Sequence, residues 1–96
     1  MPWVQVQKST EATWEDYQRV QQALGDDAAP GLIYHAAGEA GGGRWQSVSV
    51  WESEDDFNRF RDERLMPAVQ QVLPAAMVEA GPPPSETFEA KHVFKP

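Results

Sequence analysis

The chain has 96 residues, 15 acidic and 8 basic side chains, a formal net charge of −7 and no cysteine. This acidic balance excludes a nucleic-acid surface built on clustered Lys and Arg. The missing cysteine excludes disulfides, thiolate catalysis and Cys-ligated zinc or iron–sulfur centres.

The length suits one domain spanning residues 1–96. A chain of this size buries only ~60–65% of its unfolded surface, so pairing with a second copy would add useful burial. No basic amphipathic helix marks a membrane surface. No apolar run approaches the ~18 residues of a membrane span. The start MPWVQVQK lacks the charged beginning and apolar centre of a signal peptide. The expectation is a soluble cytoplasmic protein without partners among nucleic acids or membranes.

Residues 3–8 alternate and predict a short strand, with Trp3, Gln5 and Gln7 on one side and Val4 and Val6 on the other. Thr13 begins TWED, with an acid three residues after a candidate helix cap. Trp14, Tyr17, Val20 and Leu24 then form one helical stripe over 13–24, and Gly25 sits where the helix ends. A polar connection over 26–30 closes with Pro30-Gly31, a turn signal. Residues 32–37 predict a second strand, and the run Gly38-Glu39-Ala40-Gly41-Gly42-Gly43 a hairpin loop.

The stretch GRWQSVSVWESEDDFNRFRDERL, residues 43–65, predicts a third strand over 44–52 running straight into a helix. Trp45, Ser47, Ser49 and Trp51 alternate with Gln46, Val48, Val50 and Glu52. Ser53 with Asp56 is a variant capping box. Glu54, Asp55 and Asp56 place negative charge where the helix dipole favours it. Phe57, Phe60, Arg64, Leu65 and Ala68 recur at helical spacing. Pro67 lacks an N–H and clashes with the preceding turn, which predicts a break near 65–66 and a second short piece from Pro67 to about Leu73. Gly81-Pro82-Pro83-Pro84 makes 74–85 a semi-rigid connecting arm. Residues 86–94 alternate again as a last strand, with Phe88, Ala90, His92 and Phe94 on one side. The predicted order β-α-β-β-α-β is the ferredoxin-like arrangement, an α+β fold with a four-stranded antiparallel sheet. Its second sheet face has no cover in a monomer, and Val4, Val6, Val48 and Val50 make that face apolar, so a homodimer through the sheet is expected.

The junction of valine, tryptophan, acid, serine, acidic turn and phenylalanine at Val50-Trp51-Glu52-Ser53 and Glu54–Phe57 resembles the dimeric α/β-barrel superfamily. That superfamily includes the antibiotic-biosynthesis-monooxygenase-like small proteins and the small heme-degrading oxygenases. The resemblance implies sheet-to-sheet dimers and a pocket between sheet and helices in each subunit. Trp51 matches the tryptophan that points into that pocket, and by alternation Trp45, Ser47 and Ser49 point there too. Two serines between two tryptophans suit a pocket wall that offers stacking surface and hydrogen bonds. The alternative is that Trp51 packs on the second helix.

Gln5 and Gln7 are candidates to bind a substrate carbonyl, or ordinary polar residues of the sheet. His35 lies mid-strand beside Tyr34 and two alanines, where a neutral imidazole can act as a base. Hairpin register decides whether His35 or Tyr34 sits beside Trp45 and Ser47, and a one-residue slip reverses the answer. His92 groups with the sheet edge. With two histidines and no His spacing of metal-binding type, no metal site is expected. In the heme-degrading relatives of the superfamily, heme cleavage uses a histidine on the second helix. The predicted helix over 54–73 has none. The expected function is a cofactor-independent enzyme on a small aromatic or polycyclic substrate, most readily a monooxygenase. Trp45, Trp51, Ser47, Ser49, Gln5 and Gln7 would hold the substrate, and His35 or Tyr34 would take its proton. A cyclase or isomerase on a similar substrate, or a non-catalytic small-molecule-binding module, are the alternatives.

Overall fold

The computed structural model describes residues 2–25 and 27–94. Asp26, the first residue of the predicted 26–30 connection, lies outside them. Four strands form one antiparallel sheet: β1 (Trp3–Thr13), β2 (Leu32–Glu39), β3 (Arg44–Trp51) and β4 (Ser85–Glu89), in the order β2-β3-β1-β4. Helix α1 (Trp14–Leu24) joins β1 to β2. A longer helical passage joins β3 to β4. It comprises α2 (Glu54–Phe60), a π-helical turn at Arg61–Leu65, α3 (Met66–Val72) and α4 (Ala75–Glu79). This is the ferredoxin-like α+β topology.

Register sorts the central side chains onto two faces. Val4 stands opposite Val50 and Val6 opposite Val48, while Gln5 stands opposite Ser49 and Gln7 opposite Ser47. The valines share the face away from the helices; the polar residues share the face beneath them. Phe88 pairs with Val4 and Tyr34 with Val50, so both join the valine face, where they are 55% and 61% exposed.

Both helix starts follow their sequence signals. The Thr13 hydroxyl accepts from the Asp16 N–H, and the Asp16 carboxylate accepts from the Thr13 N–H. Burial alone would raise the Asp16 carboxyl, but the Thr13 N–H and the adjacent Arg19 guanidinium outweigh it and hold it below the ordinary aspartate range. At α2 the Ser53 hydroxyl accepts from the Asp56 N–H at 3.2 Å. The core lies at this end, where Trp3, Ala29, Trp51 and Phe57 cluster with Leu32 and Phe60. Phe57 packs 5.2 Å from Trp3 and edge-on, 5.6 Å, from Trp51.

Four expectations are corrected. Strand β1 runs five residues past Lys8 through an irregular register, held by a Ser9 hydroxyl donating to the Ala12 carbonyl. Pro67 does not break the helix. The turn before it widens to π geometry, with the Met66 N–H bonding the Arg61 carbonyl, and the chain stays helical. A wider turn moves the preceding carbonyls away from the proline ring, which removes the clash that would otherwise kink it. The connecting arm is not wholly extended, since α4 forms within it. Strand β4 stops at Glu89, where the Ala90 N–H bonds the Pro2 carbonyl, so His92 and Phe94 lie beyond the sheet.

Gly31 is the position where glycine is required. Its φ is +87°, and a Cβ there would collide with the Asp56 carboxyl. Gly31→Ala should therefore destabilise the fold by roughly 1–3 kcal/mol, read as a drop of several degrees in the thermal midpoint. An unchanged midpoint would contradict the tight approach of the β2 entry to α2.

Candidate functional site

A cavity of about 370 Å³ lies between the sheet and the helices. Its floor is the polar face of the sheet. Gln5, Ser49 and His35 stand in one row across β1, β3 and β2; Gln7, Ser47 and Ala37 form the next. Its ceiling is apolar, with Val20 and Leu24 from α1, Leu65 and Val69 from the long helix, and Met77 from α4. Pro82 and Pro83 of the arm close part of its rim.

The β2 register settles which of two neighbours enters the cavity. Leu32 pairs with Trp51 and Tyr34 with Val50, so one extra residue sits in β2 between them. This bulge restarts the alternation. Leu32 and His35, three residues apart, both face the helices. Tyr34 is on the opposite face and cannot serve the cavity; the bulge is the reason, and it corrects the expectation that left Tyr34 as a candidate base.

The named floor residues divide by what their polar atoms already do. The Trp51 Nε1–H donates to the Ser49 hydroxyl at 3.0 Å. Both residues are buried, at 3% and 6% exposure. Trp51 is thus a core side chain that forms the closed end of the cavity with Phe57 and Phe60, and Ser49 is committed to it. Gln5 is also buried, yet its amide has no side-chain partner among the described residues. Gln5, Gln7 and Ser47 are therefore the floor groups free to meet a ligand. Trp45 is half-buried at the other end.

His35 has a partner that the sequence did not announce. The Tyr17 hydroxyl lies 2.5 Å from its Nε2, and Gln21 Nε2 donates to the same hydroxyl at 3.2 Å. Trp14 stacks on Tyr17 at 5.0 Å, and Trp45 meets it at 5.4 Å. Tyr17 occupies the inward stripe of α1 and reads as a packing residue by periodicity alone. A tyrosine there needs a partner for its hydroxyl, which was the available signal. Partial burial holds the His35 imidazole below the ordinary histidine range and pushes the Tyr17 phenol above its own. His35 remains more than a third exposed at its edge strand, so its desolvation is incomplete.

Arg64, on the π turn, lines the cavity but spends its guanidinium on carbonyls. It donates to Asp27 O at 3.2 Å and reaches Leu24 O at 3.5 Å, strapping the end of α1 to the long helix. No cluster of three or more His, Asp or Glu able to hold a metal occurs among the described residues. No helix among them is long and apolar enough to cross a membrane.

No family model matches the chain, and no curated protein matches it. Solved structures share its fold. A protein of unknown function from Nitrosomonas europaea is 13% identical with a TM-score of 0.60, over 99% of this chain and 91% of its own. A candidate antibiotic-biosynthesis monooxygenase from Deinococcus radiodurans is 16% identical with a TM-score of 0.55, over 99% and 97%. A dimeric ferredoxin-like protein of unknown function from Thermobifida fusca is 20% identical with a TM-score of 0.54, over 94% and 92%. The chain has the ferredoxin-like α+β fold of these proteins.

The environment of His35 is open to measurement. Its lowered folded pKa favours the neutral ring, so its contribution to stability is complete above the unfolded value of about 6.5 and is lost as pH falls through the folded value. In a ring-proton NMR titration, with His92→Gln removing the second histidine, the His35 midpoint should fall below about 6.5. A midpoint at or above that value would contradict the desolvated setting.

Proposed function

We propose that the protein is a homodimeric enzyme that acts without metal or organic cofactor on a small aromatic or polycyclic molecule, as a monooxygenase. The observation that carries this reading is the cavity itself: a polar sheet floor ending in His35 beneath an apolar ceiling, with Trp45 at the mouth. Such a space suits a flat, apolar ring system with oxygens along one side. Trp45 would stack on the ring, and the Trp51 ring would bound its inner edge. Ser47, Gln5 and Gln7 would bind its oxygens; Ser49 contributes through Trp51. His35 would accept the proton of an acidic substrate hydroxyl, leaving an electron-rich anion able to react with O2. The fold shared with the Deinococcus radiodurans protein supports the class of chemistry, not a particular substrate. The same proton removal would serve a cyclase or isomerase, and oxygen uptake during turnover separates these reactions.

The dimer in this reading forms through the valine face. Tyr34, Val48 and Phe88 are exposed there, and no large side chain of the single chain is completely enclosed among the described residues. The dimeric state of the Thermobifida fusca neighbour supports the same arrangement. A whole-sheet interface should bury more than ~1,000 Å².

Val50→Asp would place an unpaired charge at the centre of that interface and should convert the dimer to a destabilised monomer in sedimentation. A stable monomer of the parent protein at micromolar concentration would overturn the dimer. For catalysis, His35→Ala should cost turnover of a phenolic polycycle by ~10²-fold or more while leaving affinity, followed by tryptophan quenching, nearly unchanged. Full activity in that variant would remove His35 as the base.

A further inference from the structure

Tyr17 is a titratable side chain on the cavity wall that hydrogen-bonds His35 and has no role in the proposed reaction. Its hydroxyl carries one proton and accepts through its lone pairs. Gln21 Nε2 already donates to it, and His35 Nε2 stands at hydrogen-bond distance on another side. The arrangement that satisfies all three groups has the Tyr17 O–H donating to His35 Nε2. The proton of the neutral imidazole then sits on Nδ1. In that state the Nε2 lone pair is covered by Tyr17, and a proton from the cavity reaches it through the tyrosine oxygen.

The ring is held in place for this. Trp14 stacks on it within 10° of parallel, Trp45 leans against it, and the His35 ring lies 6° from its plane at 6.3 Å. We propose that Tyr17 is the catalytic group that meets the acidic hydroxyl of a planar phenol- or naphthol-type ligand, with His35 behind it as the final proton acceptor. This rests on the aromatic-ligand reading of the cavity. In the step, the ligand O–H bond breaks and its proton bonds to the Tyr17 oxygen. The original Tyr17 proton moves to His35 Nε2 at the same time. The products are a ligand anion and an imidazolium, Tyr17 ends neutral, and no electrons change hands.

Burial supports this division of labour. It pushes the Tyr17 phenol up, against the opposing hydrogen bond from Gln21, and the His35 imidazole down, so the resting pair is neutral phenol and neutral imidazole. A standing tyrosinate is disfavoured, and charge appears when a ligand supplies the proton. The other ionisable groups on the cavity wall are Glu11, Asp16, Asp27 and Arg64. Asp16 is engaged by Thr13 and Arg19, and Arg64 by backbone carbonyls. Among the described residues, none of the four hydrogen-bonds Tyr17 or His35.

Two measurements on the full chain test the relay. In nitrogen NMR of the unliganded His92→Gln protein, the neutral His35 ring should carry its proton on Nδ1, and Tyr17→Phe should move it to Nε2. Phenylalanine keeps the stack with Trp14 and Trp45, so the variant should fold. A proton already on Nε2 in the Tyr17-containing protein would overturn the proposal without any Tyr17 variant. The second probe is a cyanonaphthol, whose neutral and anionic forms absorb differently. Bound to native protein it should ionise with a pKa lowered by roughly one unit, about tenfold. Tyr17→Phe and His35→Asn should each abolish that shift. Ionisation that persists in Tyr17→Phe but not in His35→Asn would overturn the relay and leave His35 as a direct base. Failure of the probe to bind native protein would overturn the aromatic-ligand reading and the relay with it.

Discussion

The antiparallel pairing of β1 with β3 assigns each central side chain to one of two environments. Val4 against Val50 and Gln5 against Ser49 are neighbouring steps of one ladder. Successive residues of a strand point to opposite faces. A sheet only one residue thick thus carries an apolar surface on one side and a hydrogen-bonding floor on the other. Neither surface could be altered by shifting register without exchanging both at once. The helices sit on the polar side, an unusual choice for a core. It works because the apolar contacts concentrate at one end, where Trp3, Trp51 and Phe57 pack, and the other end is left open as a cavity.

The two ends of that layer are held by different means. At the closed end, contacts of the Trp51 ring with Phe57 and Phe60 lock β3 to α2, and the Trp51–Ser49 hydrogen bond within β3 orients that ring. At the open end the capping box starts α1, and at the other end of α1 the Arg64 strap ties Leu24 and Asp27 to the π turn. Polar groups with protein partners add rigidity, and those that open on the cavity remain available to a ligand. Ser49 belongs to the first kind and Gln5 to the second, although they stand opposite each other on adjacent strands.

Much of this was legible in the residues. Alternation in β1 and β3 placed the valines and the polar row on their faces, and Thr13, Ser53 and the acids after them marked both helix starts. Three things were not legible, each for a physical reason. The bulge at the start of β2 leaves no mark in a run as plain as Leu-Ile-Tyr-His, yet it decides between Tyr34 and His35. The meeting of Tyr17 with His35 joins residues 18 apart and depends on how α1 lies across the sheet. The commitment of Ser49 to Trp51 could not be distinguished from a free hydroxyl, because both residues share the same face and parity. The Pro67 expectation failed differently: a proline excludes an ordinary helical turn before it, but a wider turn satisfies the same constraint.

That wider turn has a meaning in terms of chain length. A π turn holds one residue more than the α turn it replaces, so the stretch Arg61–Leu65 behaves as a one-residue insertion accommodated within a continuous helix. Removing a residue there would restore regular winding and bring the proline ring back against the preceding carbonyl. It would also rotate the helix N-terminal to the gap by about 100° relative to the helix C-terminal to it. Phe57 and Phe60 would leave the aromatic cluster if Val69 kept its place over the cavity. The extra residue and Pro67 are therefore a linked pair: an evolving chain of this fold could lose both together far more easily than the residue alone.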